Sequence, residues 1–383
     1  MPDPHAVRAF LEDRHLALAK ELDAFAKKQI LPLPPPPDDG AARRQARTIL
    51  ELIGRAGFLS CAVPKPDLRA CALVREALAA ASPLADAVFA LQALGALPIA
   101  LGGSETLKRR WLNDVVHGRS MAAFAMTETE AGSDVSAIRT RAHRKGDAYL
   151  LEGAKTLISN AGIADFYTVF ASTDPAKGAQ GLSCFVVESW TPGLRFMKAQ
   201  VLSAPHPLGQ IAFEQCRISA SCRVGAEGEG SKIGMRTLDR LRATVGAAAC
   251  GMAARALEEA KIHALRRRQF GKPLAEFQSI RQKLAALATE LDAARLLVYR
   301  AAWEADRGAA RVTVESAMAK AFATEAAQRI VDGALQILGG IGCLADHPVE
   351  RLYRSVRALR IYEGATEVQH LVIANHLLQE KGK

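Results

Sequence analysis

Asp239 and Arg242 stand three apart in the segment LDRLR, a spacing that puts both on one helical face. Opposite charges placed that way either pair with each other or hold out a donor and an acceptor to a polar ligand. Residues 338–342 (LGGIG) hold three glycines, whose open backbone suits a phosphate. They follow a helical pattern, so the strand that precedes a dinucleotide-binding glycine loop is missing. Residues 131–134 (AGSD) read as a turn with a Ser or Asp cap, and Glu363, in YEGATEVQ, reads by itself as a solvated acid at a helix start. The chain has no nucleophile elbow, Walker loop or H-E-x-x-H. Its seven cysteines form an odd set without a C-x-x-C pair, and Cys216 and Cys222 lack a His at metal-site spacing. They are expected to be reduced thiols.

The elements that must position these groups change texture twice. The first third is rich in Ala and Leu with charges at helical intervals, and amphipathic helices are predicted over 16–30, 41–56 and 69–81. The run 31–37 (LPLPPPP) must end the first of them, because proline has no N–H to donate and restricts the residue before it. The LGGS at 101–104 breaks a helix, and 105–116 resumes one. From about Met121, short runs such as DAYLLEG, FYTVFAST and LSCFVVES, punctuated by Gly, Pro, Asp and Lys, predict strands and turns. Beyond Lys232 the helical period returns: Leu238, Leu241, Val245, Ala248 and Met252 recur every three or four residues, as do Ile280, Leu284, Leu287, Leu291, Ala294 and Val298. The fold class is therefore α+β, with an N-terminal helical domain (1–121), a middle β domain (122–229) and a C-terminal helical bundle (230–383).

Composition excludes several classes. With 383 residues, 49% hydrophobic and 23% charged, the chain can bury large cores and is not disordered. No uninterrupted apolar run approaches the ~20 residues of a membrane span, so no membrane partner is expected. A formal charge of +10 invites a nucleic-acid reading, but only 108–110 and 266–268 make basic runs of three and aromatic residues are 5%. A polyanionic small molecule fits as well, and no nucleic-acid partner is expected. The opening residues, MPDPHAVRAFLEDRH, carry acids early and lack the pattern of a secretory leader, which points to the cytosol.

Taken in order, five segments are far more specific than any one. Residues 124–134 (FAMTETEAGSD), 155–160 (KTLISN), 267–278 (RRQFGKPLAEFQ), 336–342 (QILGGIG) and 362–369 (YEGATEVQ) closely resemble the acyl-CoA dehydrogenase family. The helical, β, helical plan matches too, and the resemblance covers nearly the whole chain, weakest over the first 90 residues.

The resemblance implies a FAD-dependent enzyme that forms a trans-2,3-enoyl-CoA from an acyl-CoA and passes electrons to an electron-transfer flavoprotein. Phe124, Met126, Thr127, Gly132 and Ser133 match the loop beside the flavin ring, and Leu157, Ile158 and Ser159 match a second flavin-contacting loop. Arg267, Gln269, Phe270, Gln278, Gln336, Gly339 and Gly340 match residues that hold the FAD pyrophosphate and adenosine, often across a subunit boundary, which implies a homo-oligomer, most commonly a tetramer. Thr366 and Glu367 also fall at cofactor positions. Ser133, Asp239, Arg242, Tyr362 and Gly364 match positions lining the acyl-CoA site. Glu363 matches the catalytic base; the alternative family position for a base matches Leu241, which is no acid.

Three residues depart from the family pattern: Thr129 where Pro is usual, Leu157 where an aromatic residue is usual, and Ala365 where Thr often follows the Glu-Gly pair. Leu157 supports an alternative within the same scaffold, β-elimination or oxygen-dependent oxidation. Ala90, matching the pocket floor, leaves room for a long, branched or cyclic acyl group. Residues 204–209 (APHPLG) resemble bacterial members associated with branched or ring-bearing acyl groups.

Overall fold

The structure is a computed structural model that describes residues 4–309 and 311–379. Helices run to Val116, strands fill the stretch from Ala122 to Val224, and helices return from Gly230. By packing, the chain forms two compact units: Met1–Pro34, Asp67–Asp86 and Asp239–Lys383 make one, and Pro35–Pro66 and Ala87–Leu238 make the other.

The second of these units is built on an eight-stranded sheet. Its strands are β1 (Ala122–Ala125), β2 (Arg141–Lys145), β3 (Ala148–Ser159), β4 (Phe166–Ser172), β5 (Leu182–Glu188), β6 (Leu194–Ala199), β7 (Leu208–Ser219) and β8 (Arg223–Val224). The order is β6-β7-β3-β2-β4-β5-β8, with β1 added parallel to β4. Most pairs are antiparallel, so alternate residues line one buried face, and Tyr149, Tyr167, Val169, Phe185, Val187, Ile211 and Phe213 form its core. Strand β3 bulges between Lys155 and Ile158, which throws Leu157 out of register at φ 55°.

Helices α2 (Asp39–Arg55) and α5 (Glu105–Val116) belong to this unit, each started by a side-chain cap, Asp38 to the Ala41 N–H and Ser104 to the Leu107 N–H. Helix α4 (Pro83–Gly102) is long and apolar enough to cross a membrane by length and composition, against the expectation of no such span. Asp86 and Gln92 interrupt the apolar letters, and 72% of the helix window is buried inside the protein. It is a core helix: an added Cβ at Gly95 would meet Ala122 and Ala123 at under 3 Å, and Thr168 donates to the Gly95 carbonyl at 2.6 Å.

The other unit is helical. Its members are α1 (Asp13–Phe25), α3 (Leu68–Ala81), most of α6 (Gly230–Arg266), α7 (Gln278–Asp306), α8 (Thr313–Leu338), α9 (Pro348–Leu359) and α10 (Thr366–Gln379). A wider π turn at Ala26–Ile30 follows α1, and the chain leaves the helix at the proline run as expected. Helix α3 is apolar on every side, with all of residues 68–80 buried, so its charges need partners. Glu76 finds them on α7: Arg295 at 2.7 Å and the Tyr299 hydroxyl at 3.2 Å.

Candidate active site

In the sheet unit the two loops singled out by sequence lie together. The Thr156 N–H donates to the Thr127 carbonyl at 3.0 Å. The buried Lys155 ammonium donates to the Met126 carbonyl at 3.0 Å and to Glu128 at 2.7 Å, while Glu128 also accepts from the Arg139 and Thr140 N–H groups. Burial pulls Lys155 down to about 8 despite its partner, and Glu128, pushed up by burial, is brought below its ordinary value by Lys155 and those donors. Phe124 packs on Phe170 with ring centroids 4.8 Å apart, and Met126 is buried. Gly132 and Ser133 are exposed, and a Cβ added to Gly132 would meet nothing within 4 Å, so a ligand can reach that backbone.

On the neighbouring loop Ile158 is buried, Leu157 is 54% exposed, and Ser159 shares a 2.8 Å hydrogen bond with His206. Gln200 accepts from the Leu157 N–H at 2.8 Å, which fixes the bulge.

In the helical unit, Arg267, Gln269, Gly339 and Gly340 line one cavity of about 530 Å³ with His263, Leu274 and Ile341. Added Cβ atoms at Gly339 and Gly340 would meet nothing, and the Arg267 side chain has no hydrogen-bond or ion-pair partner among the described residues. Phe270 is 93% exposed at φ 50°, and Gln278 and Gln336 are exposed at the start of α7 and near the end of α8. Glu367 is exposed, whereas the Thr366 hydroxyl donates to Glu325 at 2.8 Å.

Glu363 sits between α9 and α10 on a left-handed turn, φ 53°, followed by Gly364 at φ 95°. A carboxylate residue at positive φ is uncommon and holds only where its surroundings fix it. Arg242 donates to the Glu363 carbonyl at 3.3 Å; Lys320 and Gln369 donate to the Gly364 carbonyl at 2.8 and 3.1 Å. The Glu363 side chain is half-buried, its Oε2 is sealed from water without a hydrogen-bond partner, and its N–H has no acceptor among the described residues. Burial raises its proton affinity, opposed by the cations Arg75, Arg242 and Lys320. Tyr362, beside it, also has its proton held more tightly by burial, with Arg75 as a hydrogen-bonding neighbour.

Asp239 and Arg242 pair at 2.6 Å, and Asp239 also accepts from Thr313 at 3.1 Å. The pair is engaged within the helical unit, with Arg242 turned to the Glu363 turn.

Three charged residues around these loops escaped the sequence reading. Arg75 is buried and forks on to Asp86 at 2.8 and 3.0 Å with Thr244 at 3.1 Å. Lys320 and Lys155 are fully buried. The available signal was a single charge inside an Ala/Leu helix window or a strand, LVREALAAA, AMAKAFATEAA and GAKTLIS. Such a charge has no solvated face to occupy.

Comparison with known proteins places this geometry. The descriptions Acyl-CoA dehydrogenase N-terminal, middle and C-terminal domain match residues 12–119, 123–216 and 228–378. A 3-(aryl)acrylate reductase of Clostridium sporogenes is 38% identical over 379 residues, 97% of this chain and 100% of the relative. Among solved structures, butyryl-CoA dehydrogenase from Megasphaera elsdenii superposes with a TM-score of 0.90 at 34% identity, covering 96% of this chain and 99% of that one. A chain from a structure titled for the electron transferring flavoprotein of Acidaminococcus fermentans gives 0.89 at 33% identity, over 96% and 98%. The fold is that of an oxidoreductase acting on acyl thioesters. The chain belongs to the acyl-CoA dehydrogenase family.

Proposed function

We propose that the protein converts an acyl-CoA thioester to its trans-2,3-enoyl-CoA with FAD, and hands the electrons to an electron-transfer flavoprotein. The observation that carries this reading is the carboxyl of Glu363: half-buried, raised in proton affinity and with one oxygen left without a partner. The proton α to a thioester is weakly acidic, and a carboxylate poorly solvated before reaction is a stronger acceptor for it. The Glu363 N–H, without an acceptor among the described residues, is the donor for the thioester oxygen as enolate charge develops there.

The chain's donors suit FAD. The unpartnered Arg267 guanidinium and the bare backbone of Gly339 and Gly340 share a cavity fit for a pyrophosphate, and the exposed backbone at Gly132 with the Thr127 and Ser159 hydroxyls suits the polar edge of a flavin ring. When bound, FAD supplies the acceptor for the β-hydride. In the helical unit Arg267 and the glycines would hold a diphosphate, and in the sheet unit Lys155 and Gln200 fix the loops that would meet a flavin ring.

Exposed Phe270, Ile341, Leu344, Leu371 and Leu378 on the helical unit support a homo-oligomer, which we take to be a tetramer. The neighbour titled for an electron transferring flavoprotein supports that partner. The relative named for arylacrylate reduction works on a carbon pair of the same kind, and with 204–209 it directs the substrate search to ring-bearing as well as alkyl acyl groups.

The test is anaerobic mixing of the FAD-loaded protein with butyryl-, octanoyl-, isobutyryl- and 3-phenylpropionyl-CoA. Bleaching of the oxidised flavin band with an enoyl-CoA product by mass spectrometry is expected for at least one. Turnover only with oxygen, or loss of water from 3-hydroxybutyryl-CoA added to the panel without flavin reduction, supports the alternative chemistry instead.

A further inference from the structure

Lys320 is fully buried on α8, yet no carboxylate lies within ion-pair distance of it among the described residues. Among the described residues its ammonium makes one hydrogen bond, to the Gly364 carbonyl at 2.8 Å. An ammonium taken out of water without a counter-ion costs several kcal/mol, so a residue kept in that state needs a return elsewhere. The structure supplies no packing reason for it, because Gln369 also donates to the same carbonyl at 3.1 Å and would satisfy it alone.

The charge, rather than the hydrogen bond, is what Lys320 adds. Four charged groups face Glu363 from the elements around it: Arg75 from α3, Asp86 from the start of α4, Arg242 from α6 and Lys320 from α8. Arg75 is neutralised by its two bonds to Asp86, and Arg242 by its bond to Asp239. Lys320 is the cation left uncompensated, with Glu325, Glu367 and Arg242 as its other charged neighbours.

We propose that Lys320 is a positioning residue for the base: its ammonium, seated against the 363–364 turn at the Gly364 carbonyl, supplies the uncompensated positive charge that favours the carboxylate form of Glu363. This rests on Glu363 being the base. Without the uncompensated charge, the carboxyl retains its proton to higher pH. The ammonium itself, drawn down by burial to about 8, stays charged through the neutral range.

The experiment uses the FAD-loaded enzyme and follows anaerobic flavin bleaching at saturating butyryl-CoA, or the fastest substrate of the panel above, from pH 5 to 9. Lys320→Met removes charge and donor, Lys320→Gln removes the charge and keeps an amide donor, and Lys320→Arg keeps the charge. In the Met and Gln variants the acid limb of the rate should move up by roughly one pH unit, with a loss of about tenfold at pH 6 that shrinks at pH 9. Lys320→Arg should return the limb toward the wild type. Lys320→Met is close in shape and should fold; if it does not, the Gln and Arg pair gives the same comparison. An acid limb unmoved in both charge-removing variants overturns the proposal while leaving Glu363 as base, provided Glu363→Gln is inactive. A Glu363→Gln enzyme that bleaches near the wild-type rate overturns both.

Discussion

Lys155 on β3 reaches Glu128 at 2.7 Å and the Met126 carbonyl at 3.0 Å, so one buried ammonium ties the loop 124–133 to the strand that carries Leu157, Ile158 and Ser159. Removing it leaves Glu128 buried beside two backbone donors and frees the loop. Breaking a buried pair on one side costs about 3–5 kcal/mol. Lys155→Met should therefore lower the midpoint of thermal unfolding and release FAD on gel filtration. A variant with unchanged midpoint and full FAD content would show that the pair does not hold the loop.

Asp86 and Lys320 act on Glu363 with opposite signs. Asp86 raises the proton affinity of the carboxyl, whereas Lys320 opposes that rise. Asp86→Asn leaves the Arg75 cation uncompensated, at a cost of about 3–5 kcal/mol in stability. Among the molecules that remain folded, the acid limb of flavin bleaching should move to lower pH, the reverse of Lys320→Met. Movement in the same direction for both would show that the limb reports loosened structure rather than charge.

Arg267 offers an unpartnered guanidinium to a cavity with two bare glycines. Arg267→Gln keeps length and polarity but loses the charge that a diphosphate would meet. FAD should dissociate at least ~10-fold more readily, about 1.4 kcal/mol, as measured by titrating FAD into apoprotein. Sedimentation of the same samples should show weaker assembly, since the cavity is proposed to take part in FAD binding across subunits.

The overall plan was legible because its signals are local. The proline run ends the first helix, the 3.6-residue period marks α6 and α7, and the runs DAYLLEG, FYTVFAST and LSCFVVES fall on β3, β4 and β5. Segments 267–278 and 336–342 were legible as ordered motifs, and the structure gathers Arg267, Gln269, Gly339 and Gly340 around one cavity although they lie far apart in sequence. What surrounds Glu363 was not legible. The Asp239–Arg242 pair was readable from its spacing, but Arg75, Asp86 and Lys320 come from three other helices, and each is a lone charge whose partner is chosen by packing alone. The end of α4 was legible at the LGGS break, but its apolar length was not, since Asp86 and Gln92 break the letters without breaking the helix.

Stability should carry the mark of the same carboxyl. The proton affinity of Glu363 in the folded chain lies above its ordinary value of 4.5, so the fold favours the neutral form. Relative to a neutral residue its penalty is absent below that ordinary value, grows as pH rises through the interval up to the folded value, and is constant above it. Glu363→Gln should then unfold at higher temperature than the wild type at pH 7–8, with the gap closing toward pH 4. Equal midpoints at pH 8 would mean that the carboxyl is solvated in the folded protein.

The central claim, that Glu363 takes the α-proton, is tested most directly by anaerobic stopped-flow of Glu363→Gln against wild type at saturating acyl-CoA, following the oxidised flavin band. Gln is nearly isosteric and cannot accept the proton, so FAD and acyl-CoA should still bind while the bleaching rate falls by at least ~10³-fold, roughly 4 kcal/mol of transition-state stabilisation. The variant should show only the small spectral shift of ligand binding. Bleaching within about tenfold of the wild-type rate would contradict the account and move the search to another acid.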